Sequence, residues 1–202
     1  GAERNSRTRR FRVFVIIMYV DAALSFYAEI SHMNYAETLC KNLNVSIATK
    51  ERFLQRADQL EIFSHATHIV VNAYRAGGRL YIAGNGGSAA DAQHLAAEFV
   101  TRLMRERDPL PAEALTTDTS TLTAIGNDYG FDQIFSRQIA GKMRKGDVFL
   151  GITTSGRSPN ILMALRECRR MDVRSILFCG RDGGEAKALA DYCILAEGTA
   201  TA

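Results

Sequence analysis

Short runs that are apolar along their whole length recur after residue 78, and they limit the fold of this chain more than any other feature. The clearest are RLYIAG, DVFLGIT, SILFCG and YCILAE, with a less regular run at AEALT. Segments with helical periodicity separate these runs. Strands without a polar face that alternate with helices are typical of a parallel sheet covered on both sides. The sequence therefore predicts an α/β fold with a parallel sheet flanked by helices on both faces.

A long amphipathic helix is predicted before the first strand. In ERFLQRADQLEIFSHATHIVVNAYRAGG, apolar residues recur near the helical period from Leu54 to Tyr74, and Gly77 and Gly78 end the pattern. The helix carries more apolar surface than one side of a sheet is expected to cover. We therefore expect it to contact another copy of the chain in a homo-oligomer.

The composition is that of a globular protein, and its net charge does not indicate any particular partner. A chain of 202 residues with 47% hydrophobic residues can bury one good core. The net charge of +3 is too small to indicate nucleic acid, and five arginines among the first twelve residues account for much of the basic excess. The four cysteines have no metal-binding spacing, which favours a reducing, cytoplasmic location.

Residues 1–32 form an N-terminal extension ahead of a predicted domain at 33–202. The stretch RTRRFRVFVIIMYVDAALSF has the basic and apolar parts of a secretory signal, but Asp21 interrupts the apolar part and no small-residue cleavage site follows. The apolar part is shorter than the roughly 20 residues that a membrane span needs. We expect an oligomer-contact helix, or sequence upstream of a natural start at Met33, and no membrane partner.

Two loops at predicted strand ends carry groups that suit an anion. The first, Gly84-Asn85-Gly86-Gly87-Ser88, follows RLYIAG and precedes a helix. Its glycines let peptide N–H groups turn toward an anion, and a helix N-terminus adds partial positive charge. Ser88, with Asp91 three residues later, also fits a plain capping box.

The second loop follows DVFLGIT and contains four hydroxyl side chains around one glycine. Ser158 and Pro159 fit the N-cap and the first position of a helix. Ligands of open parallel sheets bind at the carboxyl ends of the strands, so the two loops are expected to form one phosphate site. The hydroxyls belong to Thr153, Thr154, Ser155 and Ser158.

His94 and Glu98 lie four residues apart on the helix that follows the first loop, so they share one helix face. Imidazole and carboxylate suit zinc, but the pair supplies only two ligands. Such a pair is more often a surface ion pair.

A dinucleotide site is a competing interpretation of the first loop. Gly84, Gly86 and Ala89 fit the pattern G-x-G-x-x-A between a strand and a helix. That site also needs an acidic residue at the end of the second strand, whereas Glu113 lies at the beginning of the predicted strand. The hydroxyl-rich second loop has no role in it.

Four segments together resemble the phosphoheptose isomerases, which have the sugar isomerase (SIS) fold: GNGGSAADAQHLAAEF, TAIGNDYGFDQIFSRQI, GDVFLGITTSGRSPNI and GRDGGEAKALADYCI. The resemblance implies a five-stranded parallel sheet between helices, a three-layer sandwich, usually assembled as a homotetramer with active sites at subunit interfaces. It implies conversion of sedoheptulose 7-phosphate to D-glycero-D-manno-heptose 7-phosphate for bacterial surface polysaccharide.

The resemblance also implies roles for individual residues. His94 would bind zinc, and Glu98 would contact zinc and serve as the catalytic base. A ketose-to-aldose shift needs a proton removed beside a carbonyl and returned to the neighbouring carbon, which suits a carboxylate, and a metal can stabilise the enediolate. The implied sugar phosphate contacts are Asn85, Gly86, Gly87, Ser88, Glu98, Asn127, Asp128, Thr153, Thr154, Ser155 and Ser158.

The resemblance implies one further helix, which would supply a glutamine and a histidine to the zinc site and the acid–base pair. The printed sequence ends at AEGTATA, where that helix would begin. We expect the printed sequence to stop short of it, and the 202-residue chain to be incomplete for catalysis.

Three functions are compatible with these residues. The first is the isomerase. The second is a non-catalytic SIS protein that binds the bacterial replication initiator, against which His94 and Glu98 argue because such proteins lack the pair. The third is a SIS module that binds a phosphosugar without turnover.

Overall fold

The computed structural model describes residues 34–198. By internal contacts the chain divides into two units, Gly1–Val45 and Ser46–Ala202. In the first unit, the described residues 34–45 contain the start of helix α1 (Tyr35–Leu54). The extension 1–32 lies outside the described residues, and the domain boundary at residue 33 stays a prediction.

The second unit contains the predicted parallel sheet. All four pairings between neighbouring strands are parallel, and the strand order is β2-β1-β3-β4-β5. Four strands fall within the apolar runs, and β4 begins one residue before its run, at the exposed Arg174, so the predicted fold class is confirmed. The strands are β1 (Leu80–Gly84), β2 (Ala112–Ala114), β3 (Val148–Thr153), β4 (Arg174–Gly180) and β5 (Tyr192–Ala196).

Helices connect the strands, as expected for parallel strands, which need long crossovers. The connecting helices are α3 (Gly87–Val100), α4 (Thr119–Tyr129), α5 (Ser136–Lys142), α6 (Pro159–Arg170) and α7 (Ala186–Leu189), with a short 3₁₀ helix at Phe131–Gln133. Helix α2 (Ala57–Arg75) precedes β1. Between residues 34 and 198, no helix is both long and apolar enough to cross a membrane.

Two apolar cores lie on opposite faces of the sheet. On one face, Tyr81 and Phe149 pack with residues of α5 and α6. On the other, Leu80 and Leu150 pack with residues of α2 and α3. Successive residues of a strand point to opposite faces, so strands that are apolar along their length contribute to both cores. This arrangement is the predicted three-layer sandwich.

The long helix predicted before β1 is wrong in one respect, because two helices occupy the segment. Helix α1 ends at Leu54, α2 begins at Ala57, and Arg56 between them has φ −92° and ψ 87°. The Arg56 guanidinium binds the Asp58 carboxylate at 2.7 Å and the Glu197 carboxylate at 2.6 Å. These ion pairs accompany a break that no proline or glycine marks in the sequence. The predicted stop at Gly77 and Gly78 is confirmed, since α2 ends at Arg75 and Gly77 has φ +79°.

Candidate active site

A pocket of about 170 Å³ lies at the carboxyl ends of β1 and β3. The connections from these neighbouring strands lead in opposite directions along the sheet, with β2 next to β1 and β4 next to β3. Such a switch point leaves a crevice between the two loops that follow the strands. The lining residues are Asn85, Ser88, Ile152, Thr153, Thr154, Ser155, Ser158 and Arg181.

The first loop runs directly into α3. The helix begins at Gly87, and its N-cap is Gly86, whose φ of +55° suits glycine. The prediction of Ser88 as the N-cap is wrong because the helix begins one residue before it, and no side chain caps this end. The Ser88 side chain lies in the wall of the pocket.

The second loop begins α6 as the sequence predicts. Ser158 is the N-cap and Pro159 is the first helical residue. The Ser158 hydroxyl caps no backbone N–H, and its Oγ lies 3.3 Å from the Thr153 Oγ1. Thr153 Oγ1 also accepts a bond of 3.3 Å from the Gly156 N–H, and Ser155 Oγ accepts one of 3.2 Å from the Arg157 N–H. The hydroxyls thus hold the loop while they line the pocket.

Two asparagines join the loops. The Asn85 Nδ2 donates to the side-chain Oδ1 of Asn160 at 2.9 Å, and the Asn160 Nδ2 donates back to the Asn85 Oδ1 at 2.8 Å. Asn160 is buried, with 2% of its surface exposed. A buried amide is costly unless it is hydrogen-bonded, so this reciprocal pair fixes the spacing of the two loops. Asn160 was not predicted as a site residue, since 75 residues separate it from its partner in the sequence.

The loop after β4 contacts the second loop through an ion pair and through close backbone packing. Arg157 donates from both terminal nitrogens to the Asp182 carboxylate, at 2.6 and 3.1 Å. These hydrogen bonds lower the pKa of Asp182 to about 2. Gly156 and Gly183 are in close backbone contact, since a Cβ on Gly156 would lie 1.9 Å from the Gly183 oxygen.

His94 and Glu98 share a face of α3, as their spacing predicts. The His94 Nε2 and Glu98 Oε1 atoms are 3.9 Å apart, and the side chains are 74% and 30% exposed. Neither residue lines the phosphate-sized pocket. Arg107 donates to the carbonyl oxygens of Glu98 at 2.9 Å and Phe99 at 2.8 Å, which satisfies acceptors at the C-terminal end of the helix.

The described residues do not complete a zinc site. From residue 34 to 198, no group of three His, Cys, Asp or Glu side chains is close enough to hold a metal ion. His94 and Glu98 offer two donors of suitable chemistry, whereas catalytic zinc normally has three protein ligands.

Some implied sugar contacts lie outside the pocket lining. The Asn127 amide donates to the Asp128 carboxylate at 2.8 Å, and both side chains are exposed in the last turn of α4. Gly86 and Gly87 belong to the first loop but are not part of the lining. Glu113 lies in the middle of β2 and binds the Lys142 ammonium at 2.6 Å, so it is not placed to hold a ribose.

Arg181 also lines the pocket, although it was not among the residues predicted from the sequence. Arg181 immediately follows β4, at the same edge of the sheet as the two loops. The strand-end argument that identified those loops applies equally to this position, so the signal was present in GRDGG.

Comparison with known proteins identifies the family. A family model of the SIS domain matches residues 44–180. The phosphoheptose isomerase 2 of Campylobacter jejuni is 49% identical over 156 residues, which cover 77% of this chain and 78% of that protein. The chain belongs to the phosphoheptose isomerase family. A second family member, from Geobacter sp. (strain M21), is 55% identical over 64% of this chain and 68% of its own length.

Solved structures of phosphoheptose isomerases have the same fold. The enzyme from Neisseria gonorrhoeae is 39% identical with a TM-score of 0.76, over 82% of this chain and 88% of that chain. The enzyme from Francisella tularensis is 32% identical with a TM-score of 0.77, over 83% and 88%. The predicted family resemblance and SIS fold are therefore confirmed.

Proposed function

We propose that this phosphoheptose isomerase converts sedoheptulose 7-phosphate to D-glycero-D-manno-heptose 7-phosphate through an enediolate, for bacterial surface polysaccharide. The observation that carries the proposal is 49% identity to a phosphoheptose isomerase over more than three quarters of both chains. The pocket at the β1 and β3 ends supports the same conclusion, because its size and hydroxyl-rich wall suit a phosphate group.

The phosphate group of the substrate would bind between the two loops. Hydroxyls of Thr153, Ser155 and Ser158 would donate to its oxygens. The glycines of the first loop and the N-terminal ends of α3 and α6 favour an anion at the same place. Gly86, Gly87, Asn127 and Asp128 stay proposed sugar contacts.

Glu98 would act as the base. It would remove a proton from the carbon beside the substrate carbonyl, and the proton would return to the neighbouring carbon. The carbonyl and the phosphate lie at opposite ends of the heptose chain. A base outside the phosphate pocket is therefore compatible with this substrate, and Glu98 is partly exposed and free to contact it.

Zinc is proposed to bind His94 and Glu98, with further ligands from outside the described residues. An imidazole nitrogen and a carboxylate oxygen 3.9 Å apart on one helix face suit two positions of a zinc site. When bound, the metal would supply positive charge that stabilises an enediolate.

A homo-oligomer, expected to be a tetramer, and a cytoplasmic location complete the proposal. The exposed apolar side chains of α2 support assembly: Leu60, Phe63 and Val71 are 41%, 48% and 38% exposed. The four free cysteines suit a reducing compartment.

Replacing Glu98 by glutamine tests the proposal. In the full-length protein, Glu98→Gln should reduce isomerisation of sedoheptulose 7-phosphate about 100-fold to 10,000-fold, because the amide cannot accept the proton. Substrate binding should persist, since the amide has nearly the same shape. Glu106→Gln is a matched control, because Glu106 is exposed and pairs only with Arg102 among the described residues. Exchange of solvent protons into the substrate measures the step directly.

Proton exchange and substrate binding together distinguish an isomerase from a module that only binds the phosphosugar. Undiminished proton exchange in Glu98→Gln would remove Glu98 from the mechanism. Tight binding of sedoheptulose 7-phosphate without any exchange by the unmodified full-length protein would instead identify a phosphosugar-binding module without turnover.

A further inference from the structure

The pocket contains little positive charge for the ligand that it is proposed to hold. A phosphate monoester carries about −1.5 to −2 charges at neutral pH. The pocket wall consists of hydroxyl-bearing residues, one asparagine, one isoleucine and Arg181. Among the described residues that line the pocket, Arg181 alone has a charged side chain.

The Arg181 guanidinium is available for a ligand. Among the residues from 34 to 198, it makes no hydrogen bond or ion pair with another side chain or with the backbone. The neighbouring carboxylate, Asp182, is the nearest candidate along the chain, but both of its oxygens accept from Arg157. Because Asp182 pairs with Arg157, Arg181 has no salt-bridge partner among residues 34–198.

The backbone of Arg181 adopts a conformation that is strained for any residue other than glycine. Its φ of +54° lies in the left-handed region, which glycine adopts readily and other residues adopt with strain. Gly183 and Gly184 in the same loop also have positive φ, at +82° and +51°. Strained residues of this kind often occur at functional sites. A glycine at position 181 would relieve the strain but would remove the charge.

We propose that Arg181 provides the counter-charge for the phosphate group of the substrate and thereby selects phosphorylated sugars. The proposal deepens the proposed function, on which its identification of the ligand rests. The Arg157–Asp182 pair acts as a positioning element, because it joins the hydroxyl loop to the loop that carries Arg181.

Binding of inorganic phosphate measures this role without requiring catalysis. By isothermal titration calorimetry, Arg181→Gln should weaken phosphate binding about 5-fold to 30-fold, between the effect of an exposed ion pair and that of a charge-assisted hydrogen bond. Arg181→Lys should recover part of the loss. The difference should shrink as salt is raised, because salt screens exposed charges. In turnover assays, KM for sedoheptulose 7-phosphate should rise while kcat changes little.

Two further variants separate binding from folding. Arg181→Gly should leave the melting temperature unchanged or higher, since it relieves the left-handed strain, yet it should lose phosphate affinity as Arg181→Gln does. Arg144→Gln is the matched charge control. Arg144 is exposed and precedes β3, at the opposite edge of the sheet, so its loss should leave phosphate affinity unchanged.

Wild-type phosphate affinity in Arg181→Gln would overturn the proposal while leaving the isomerase function intact. An equal loss in Arg144→Gln would also overturn it, because the effect would then come from net charge. Conversely, if the full-length protein shows no isomerisation but Arg181→Gln still loses phosphate affinity, the proposed function fails and the role of Arg181 stands.

Discussion

Ser158 occupies the N-cap position of α6 without using its hydroxyl as a cap. A serine in this position usually accepts a bond from a backbone N–H of the first helical turn. Here the hydroxyl lies 3.3 Å from Thr153 Oγ1 in the wall of the pocket, so it is available to a ligand. The residue that begins the helix is therefore also a candidate phosphate contact.

Removing two hydroxyls tests the second loop. The double change Ser155→Ala, Ser158→Ala should raise KM for sedoheptulose 7-phosphate about 100-fold or more, because each hydrogen bond to a charged group contributes about 1.5 to 3 kcal/mol and about 1.4 kcal/mol is a factor of ten. Steady-state kinetics of the full-length protein measure it. Ser64→Ala, an exposed serine on α2, is the control. An unchanged KM in the double variant would contradict the assignment of these hydroxyls.

The buried cysteines should be unreactive in the native protein. Burial raises the pKa of Cys168 to about 12 and that of Cys179 to about 11, both above the ordinary thiol value. The raised pKa keeps each thiol protonated, and so poorly nucleophilic, throughout the range from pH 7 to 9. Thiol titration at pH 8 should show slow modification of both in the folded protein and rapid modification in urea. Rapid native-state labelling of Cys168 would contradict its burial.

At the scale of secondary-structure elements, the loops depend on close backbone contacts. Gly156 has φ +64°, and its neighbours are the backbone atoms of Gly183 and Gly184. Neither side of this contact can accept a side chain without movement of the backbone. The loops after β3 and β4 are therefore packed as one unit.

Gly156→Ala should destabilise the fold by about 2 to 5 kcal/mol, as the sum of left-handed strain and overpacking. Gly87→Ala is the matched comparison, because a Cβ there has no neighbour within 4 Å. That change should be neutral or stabilising by up to about 1 kcal/mol, since it reduces the freedom of the unfolded chain. Urea unfolding measures both. Equal effects of the two substitutions would argue against the contact between the loops.

At the scale of the whole molecule, the exposed apolar residues of α2 are the proposed contact between subunits. If Phe63 lies in a subunit interface, Phe63→Lys should shift the protein toward smaller species in sedimentation velocity at micromolar concentration. Thr123→Lys introduces the same charge at an exposed position on α4 and serves as the control. A monomeric unmodified protein at that concentration would contradict the proposed oligomer.

The sequence by itself determined the sheet, the helices between its strands and the two loops that line the pocket. Runs that are apolar along their length require burial on both faces, and parallel strands bring their carboxyl ends to one edge. The hydroxyls around Gly156 and the spacing of His94 and Glu98 are local features, so they could be read from neighbouring residues. Their conformations follow from a few adjacent positions in the chain.

Only the tertiary structure decided the features that depend on distant partners. Arg56 meets Glu197, which is 141 residues away, and Asn85 meets Asn160 across 75 residues. The break between α1 and α2 and the spacing of the two loops are associated with these contacts. Local propensity contains no information about such pairings, because they form only when the sheet brings separate segments together.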